Sequence, residues 1–175
     1  MKKLLELIKK EKKFITIVII IIILKIFVFN FILVKGDSMN PKYKNNDFMF
    51  LNKIIYSFKP IRRGEVIVLK YRNNDLIKRV IGLPNDKIKV ENGLKELKEN
   101  EDFLLKNSEK LKLEENYINS YTASYDFDEI TLKDNEYFVM GDNRYNSYDS
   151  RNFGTIMKNN IIGRVEFKIF PFDKR

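Results

Sequence analysis

Two patterns of apolar residues divide the chain, and the first is a continuous run. Among residues 14–34 only Thr16, Lys25 and Asn30 are not Ile, Leu, Val or Phe. As a helix rising about 1.5 Å per residue, this run would extend for roughly 30 Å, which is the hydrocarbon thickness of a bilayer. The pattern therefore predicts a transmembrane helix over residues 14–34, with the Lys25 ammonium reaching toward the interface.

The second pattern consists of short apolar runs separated by turn residues. Several alternate between apolar and polar positions, which is typical of strands with one buried face. Strands are predicted at Phe48–Leu51, Glu65–Leu69, Leu76–Ile81, Lys87–Val90, Glu136–Met140 and Arg164–Phe170. Residues 91–135 carry more charge and predict an inserted hairpin or smaller subdomain, with a short helix around Leu94–Leu113. Residues 36–175 are thus expected to form one mainly β domain.

The distribution of charge predicts how the chain lies across a membrane. The net charge is +9, and residues 1–13 contain six lysines and two glutamates immediately before the apolar run. The positive-inside rule makes residues 1–13 a cytoplasmic tail and residues 36–175 an extracytoplasmic domain of a single-pass cell-membrane protein. No nucleic-acid-binding motif accompanies the basic charge, so no nucleic acid is predicted as a partner.

A cleaved signal peptide is the competing interpretation of the N-terminus. Such a peptide has an apolar region of about 7–15 residues and an Ala-x-Ala-like cleavage site. The only alanine of this chain is Ala123, although Val34-Lys35-Gly36 resembles a weak cleavage site. An uncleaved anchor fits the pattern better, and the alternative stays open.

The composition excludes several kinds of catalysis. The chain has no His and no Cys, so a Ser-His-Asp triad, a histidine metal site, a thiol nucleophile and a zinc finger are all ruled out. Nucleophilic chemistry would need Ser or Thr with a base other than imidazole. Neither a metal nor a cofactor is predicted.

Two residues are candidates for such chemistry. Ser38 lies just beyond the apolar run in Gly36-Asp37-Ser38-Met39-Asn40-Pro41, where it could equally be a turn residue. Lys78 lies in the predicted strand Leu76–Ile81 with apolar residues on both faces. Burial lowers the pKa of a lysine, and a neutral amine can accept a proton from a serine hydroxyl. The alternative is an edge-strand lysine that protects against aggregation.

A third cluster follows the predicted strand Glu136–Met140. Carboxylates, guanidiniums and a hydroxyl alternate there at Asp142, Arg144, Ser147, Asp149 and Arg151. Arg–Asp pairs could make this loop rigid, and the serine could orient an amine. By itself the cluster could also be a surface ion network or a calcium loop, although the EF-hand spacing is absent and the arginines disfavour a cation.

Taken together these segments resemble the bacterial type I signal peptidases, which are membrane-anchored serine proteases with a Ser/Lys dyad. The resemblance rests on four segments in the same order: Ser38-Met39-x-Pro41, Arg63–Val68, Lys78–Asp86 and Gly141–Arg151 followed by Ile161–Arg164. It implies a signal-peptidase-like antiparallel β catalytic domain with an inserted smaller subdomain, behind one N-terminal transmembrane helix.

The resemblance also implies a role for each matched residue. Ser38 is expected to be the nucleophile, Lys78 the general base, and Gly36 a contributor to the oxyanion hole with the Ser38 amide. Ser147 is expected to orient the lysine amine. The site is supported by Asp142, Arg144, Asp149 and Arg151. The implied partners are the lipid bilayer and exported preproteins, whose signal-peptide cleavage region would bind as an added β-strand.

The chain departs from the family pattern at Lys42, Tyr43, Asn46, Asn85 and Tyr145, and these departures leave the substrate preference open. A specialised pilin or conjugative-pilus processing peptidase of the same fold remains an alternative, as does an inactive, membrane-anchored β domain that only binds partners. Self-cleaving repressors would carry a DNA-binding domain in place of the anchor. Penicillin-recognising enzymes would need an S-x-x-K motif, which this sequence lacks.

Overall fold

A computed structural model of the protein describes residues 2–23, 28–90, 103–106, 109–112 and 127–170. The helices are α1 (Lys2–Ile23), α2 (Ile55–Phe58) and α3 (Ser150–Phe153). The strands are β1 (Phe29–Leu33), β2 (Phe48–Asn52), β3 (Val66–Tyr71), β4 (Asn74–Gly82), β5 (Lys87–Val90), β6 (Phe103–Lys106), β7 (Glu109–Lys112), β8 (Phe127–Thr131), β9 (Glu136–Met140), β10 (Ile156–Met157) and β11 (Ile161–Phe170).

The described part of the chain is mainly β, and its strands pair antiparallel. Seven strands form one sheet in the order β1-β2-β11-β3-β4-β9-β10, while β5 pairs with β8 and β6 with β7. All six strands predicted from the hydrophobic pattern are present, with ends that differ by a few residues. Long connections bring distant segments side by side, so that β11 pairs with both β2 and β3.

The N-terminal prediction is wrong in its extent. Helix α1 ends at Ile23, and residues 29–33 form β1, which pairs with β2 from Phe29↔Asn52 to Leu33↔Phe48. A continuous apolar run has no periodicity that distinguishes a helix from a strand, and the hydrogen bonds offered by β2 select the strand. The β domain therefore begins at Phe29 and not at residue 36. In the described chain, no helix combines the length and the apolar character required to cross a membrane.

The segment predicted as an insertion contains strands where a helix was expected. Residues 103–106 and 109–112 are β6 and β7, joined in register from Phe103↔Lys112 to Lys106↔Glu109. The helix predicted around Leu94–Leu113 is therefore wrong for these residues. The charged segment lacked a clear period, and cross-strand pairing decided its conformation. Residues 91–102, 107–108 and 113–126 lie outside the described residues.

Clusters of buried apolar side chains pack on the large sheet. One core cluster joins Val34 and Met39 to side chains of β2, β3 and β11, including Met49, Leu51 and Val68. This packing fastens the segment after β1 over the sheet. A second cluster contains side chains of β3, β4 and β9, and it takes the alternate residues of β3, Ile67 and Leu69, on the opposite face of that strand.

Candidate active site

Ser38 lies in a turn that the core holds in position. Its neighbour Met39 is 1% exposed, and the Tyr43 amide donates a hydrogen bond to the Met39 carbonyl at 2.8 Å. Burial of the Met39 side chain anchors the backbone while the Ser38 side chain stays partly accessible. A serine hydroxyl is thus presented on a fixed turn at the end of an extended segment.

Lys78 approaches Ser38 from the middle of β4. Its Nζ lies 2.8 Å from Ser38 Oγ, although the two residues are 40 positions apart in the chain. The lysine is 3% exposed. Burial lowers the pKa of its ammonium from 10.5 to about 8. The nearby Asp149 carboxylate opposes this decrease, whereas the Arg151 guanidinium adds to it. About one tenth of this amine is therefore neutral at pH 7 and about half at pH 8.

The loop after β9 is built around the Asp149 carboxylate. Asp149 accepts hydrogen bonds from Arg151 Nε and Nη2, both at 2.8 Å, and from the Gly141 amide at 2.9 Å. It also caps α3 by accepting from the Arg151 amide at 3.2 Å. Burial would raise the pKa of Asp149, but its donors outweigh burial and lower the pKa below the usual value. Asp149 is thus a buried anion that faces the lysine.

Asp142 and Arg144 are buried in the same loop. Asp142 is 0% exposed and receives two hydrogen bonds from Arg79, at 2.7 Å from Nε and 2.6 Å from Nη2. Burial raises the pKa of Asp142, although the bonds from Arg79 oppose the rise. Arg144 Nε donates to the Gly141 carbonyl at 3.0 Å, and burial lowers the pKa of its guanidinium to about 9. The Arg79–Asp142 pair ties the loop to β4.

Arg79 is a functional residue that the sequence reasoning missed. It follows Lys78 directly on β4 and points to the other face of the strand, where it also donates to the Gly64 carbonyl at 2.7 Å. The available signal was a second basic residue in an otherwise apolar strand, which requires a buried acidic partner. Its partner Asp142 is 63 positions away and could not be chosen from the sequence.

Two expected contacts are absent from the site. Ser147 Oγ is buried and makes no hydrogen bond, so it does not hold the Lys78 amine; it is near enough to Asp149 to help lower the pKa of that carboxyl. Gly36 has a φ of +86°, a backbone conformation that favours glycine. Its amide donates to Asn45 Oδ1 at 3.0 Å, which directs the only hydrogen-bond donor of this residue away from Ser38.

A groove of about 590 Å³ leads away from Ser38 and Lys78. Residues 32–35 form one wall, and residues 73–78 form the other. Strand β1 is at the edge of the sheet, and β9 pairs with β4 only from Arg79 onward. Both walls therefore offer unpaired backbone edges, and an extended peptide between them could bond to each.

The departures from the family pattern have local structural explanations. Asn46 and Asn85 occupy positions where the family pattern commonly has glycine, and both have a φ of +69°. Asparagine is one of the residues that tolerates this left-handed conformation. Tyr43 is 7% exposed and packs into the core, while Tyr145 is 69% exposed. None of these residues displaces Ser38 or Lys78.

No metal site accompanies this arrangement in the described residues, where no three Asp or Glu side chains come together as a metal ion would require. The site presents a hydroxyl beside a buried amine. A serine next to a neutral lysine is an arrangement that can attack a carbonyl carbon.

Comparison with known proteins identifies the family of this chain. The family described as "Signal peptidase, peptidase S26" matches residues 5–170. Signal peptidase I of Bacillus amyloliquefaciens is 35% identical over 167 residues, covering 93% of this chain and 88% of the relative. Signal peptidase I of Bacillus caldolyticus is 36% identical over 163 residues, covering 85% and 84%. A crystal structure of a signal peptidase I from Enterococcus faecalis is 25% identical, with a TM-score of 0.46, and covers 62% of this chain and 98% of that one. The chain belongs to the signal peptidase family, peptidase S26, and is a serine endopeptidase.

Proposed function

We propose that this protein removes signal peptides from exported preproteins, with Ser38 as the nucleophile and Lys78 as the general base. The observation that carries the proposal is the 2.8 Å separation of Lys78 Nζ and Ser38 Oγ inside a buried site. The names of the relatives supply the substrate class, since they are signal peptidases. The low pKa of Lys78 supports the role of base, because only the neutral amine can accept a proton.

The proposed reaction proceeds through an acyl-enzyme. Neutral Lys78 takes the hydroxyl proton as Ser38 Oγ attacks the carbonyl carbon of the scissile bond. The resulting ammonium then gives that proton to the leaving amine, and the peptide bond breaks. Lys78 next accepts a proton from the water that attacks the ester; the bond to Ser38 Oγ breaks, the ammonium gives that proton to Ser38 Oγ, and the new carboxyl end is released. The lysine thus returns to its starting form.

The oxyanion of this reaction needs donors close to Ser38. In the described chain the Ser38 amide has no acceptor, so it is free to donate to the developing charge. The Gly36 amide is engaged by Asn45, and its contribution would require that bond to break on substrate binding. We assign the Ser38 amide as the principal backbone donor.

The groove supports binding of the cleavage region as an extended strand. A peptide between residues 32–35 and 73–78 would add to two free strand edges, and its scissile bond would lie at the groove end that holds Ser38 and Lys78. The groove floor includes Val34, Met39 and Val68, which suits apolar or small side chains on the face that points inward.

The location of apolar surface supports attachment to the bilayer. Residues 10–22 of α1 are exposed, and from Phe14 to Ile22 nearly all of them are apolar. On the sheet, Phe31 and Phe167 are 46% and 55% exposed; Phe167 stacks on Phe50, and Phe31 meets the same ring edge-on. With the lysines of residues 1–13 in the cytoplasm, the β domain would face outward from the cell membrane.

The proposal is tested with the full chain in detergent and an exported preprotein. The wild-type protein should make one cut after a small residue, and Ser38→Ala and Lys78→Arg should make none, because arginine stays protonated. Exposed Ser57→Ala and Lys59→Arg are matched controls that should cleave normally. Cleavage by Ser38→Ala at the wild-type rate would refute the assignment of the nucleophile and leave a binding domain as the better reading.

A further inference from the structure

Asn143 connects the loop after β9 to the turn that holds Ser38. Its backbone amide donates a hydrogen bond to the Ser38 carbonyl at 3.0 Å. Its side-chain Nδ2 donates to the Asp37 carbonyl at 3.2 Å. The two peptide groups that flank the Ser38 α-carbon are therefore both held by a single residue 105 positions later in the chain.

The bond from Asn143 to the Asp37 carbonyl helps to fix where the Ser38 amide points. The Asp37 carbonyl and the Ser38 N–H belong to the same planar, trans peptide group, and they point in opposite directions. A donor that fixes the carbonyl oxygen therefore fixes the direction of the N–H. That N–H has no acceptor in the described chain, so the only hydrogen bonds of this peptide group are those that its carbonyl oxygen accepts.

Asparagine meets both requirements of this position. Its Oδ1 accepts from the Asn146 amide at 3.3 Å, which closes the loop, and its Nδ2 is then left to donate to Asp37. Only the NH₂ group can donate to a carbonyl, so the two contacts together define the orientation of the side-chain amide. An aspartate would keep the first contact and lose the second.

We propose that Asn143 is a positioning residue that orients the Ser38 amide toward the oxyanion of the tetrahedral intermediate. This inference rests on the proposed function, because it assumes that Ser38 attacks a peptide carbonyl. Asn143 touches neither the substrate nor Lys78 in this arrangement and acts through the 37–38 peptide group. Its loss should therefore weaken binding of the transition state more than binding of the ground state.

The expected effect is moderate, because a second donor holds the same carbonyl. The Asn40 amide donates to the Asp37 carbonyl at 3.1 Å and remains when Asn143 is changed. Removing an oxyanion donor altogether costs about 10²–10³-fold in kcat, so loosening one should cost about tenfold. KM should change by less than about twofold, because the groove walls are untouched.

The test compares two inhibitors on the wild-type protein and on Asn143→Ala. A substrate-derived peptide aldehyde adds to Ser38 and places its oxygen at the oxyanion position, whereas the same peptide ending in an amide binds only the groove. Asn143→Ala should bind the aldehyde about tenfold more weakly and the amide normally. Asn143→Asp, which keeps the acceptor for Asn146, should show the same selective loss. Exposed Asn146→Ala is the matched control and should resemble wild type.

The outcomes separate this inference from the proposed function. If wild type cleaves no preprotein or Ser38→Ala cleaves as well as wild type, the proposed function fails. If wild type cleaves, but Asn143→Ala binds both inhibitors normally or loses both equally, the positioning role alone is overturned. The pH midpoint of kcat/KM should be the same in wild type and Asn143→Ala, and a shifted midpoint would show displacement of Lys78 and contradict the inference.

Discussion

Replacing Lys78 by methionine should make the protein more stable while it abolishes cleavage. Methionine is an unbranched apolar side chain of similar length, so it fills the same buried space without a charge. The pKa of Lys78 falls from 10.5 to about 8 in the folded protein, because burial disfavours the ammonium. At 1.36 kcal/mol for each pKa unit, the folded state disfavours that charge by about 3 kcal/mol at pH 7.

The sign of the pH dependence follows from the protons bound in each state. The unfolded chain keeps the lysine proton up to about pH 10.5, whereas the folded chain releases it near pH 8. Between these values the unfolded state binds more protons, so the stability of the wild-type protein rises with pH. Lys78→Met lacks this group, and its stability should not share that rise.

The expected gain is therefore largest at pH 7 and smallest near pH 10. The hydrogen bond to Ser38, worth about 1 kcal/mol, is lost in the variant, which leaves a net gain of about 2 kcal/mol at pH 7. By pH 10 most of the gain should be gone. Methionine cannot accept a proton, so cleavage should be absent at every pH.

Urea unfolding in detergent at pH 7, 8.5 and 10, monitored by circular dichroism, measures the difference in stability between Lys78→Met and wild type. Lys59→Met is the matched control, because Lys59 is exposed and its replacement removes a surface charge and no buried charge. The reasoning is refuted if Lys78→Met is less stable than wild type at pH 7, or if the difference between them is the same at all three pH values.

Four further predictions follow from the same site. The value of kcat/KM should rise about 50-fold from pH 6 to pH 8 as Lys78 loses its proton, and initial rates that stay flat would exclude it as the base. Arg79→Ala leaves the buried Asp142 charge unpaired and should cost about 3–5 kcal/mol in urea unfolding; a loss below 1 would contradict this. Ser147→Ala removes a buried hydroxyl that makes no hydrogen bond in the described residues but helps to lower the pKa of Asp149, so stability should change by less than about 1 kcal/mol in urea unfolding, whereas a larger loss would reveal a hydrogen bond. Gly141→Ala would bring a methyl group within 2.5 Å of the Ser38 carbonyl oxygen and should lower kcat/KM for preprotein cleavage about 100-fold; near-normal activity would mean that the Ser38 turn can shift without loss of function.

Prediction from the sequence succeeded where the signal was local. Strands β3, β4 and β9 were visible as short apolar runs between turn residues, and each has at least four consecutive buried residues, so that both of its faces are covered there. It failed for residues 29–33, where an unbroken apolar run fits a helix and a strand equally well. The choice there depends on whether β2 is available as a partner.

The site shows the same division between local and long-range information. The residues Ser38 and Lys78 could be proposed from their surroundings in the chain, and the charged loop could be recognised as a rigid cluster. The contact between the Ser38 and Lys78 side chains could not be derived from the residues around each of them. The bond from Asn143 to Asp37 joins positions 106 residues apart, and Ser147 turned out to have no bond to the lysine.

Residue types and their order along the chain determined which chemistry was available: a hydroxyl nucleophile, an amine as the base, and no imidazole or thiol. Tertiary structure alone decided that β4 carries Lys78 under the turn of Ser38, that Arg79 meets Asp142, and that the Gly36 amide is engaged elsewhere. The physical reason is that local conformation depends on neighbours in sequence, whereas burial and hydrogen-bond partners depend on which distant segments the folded core brings together.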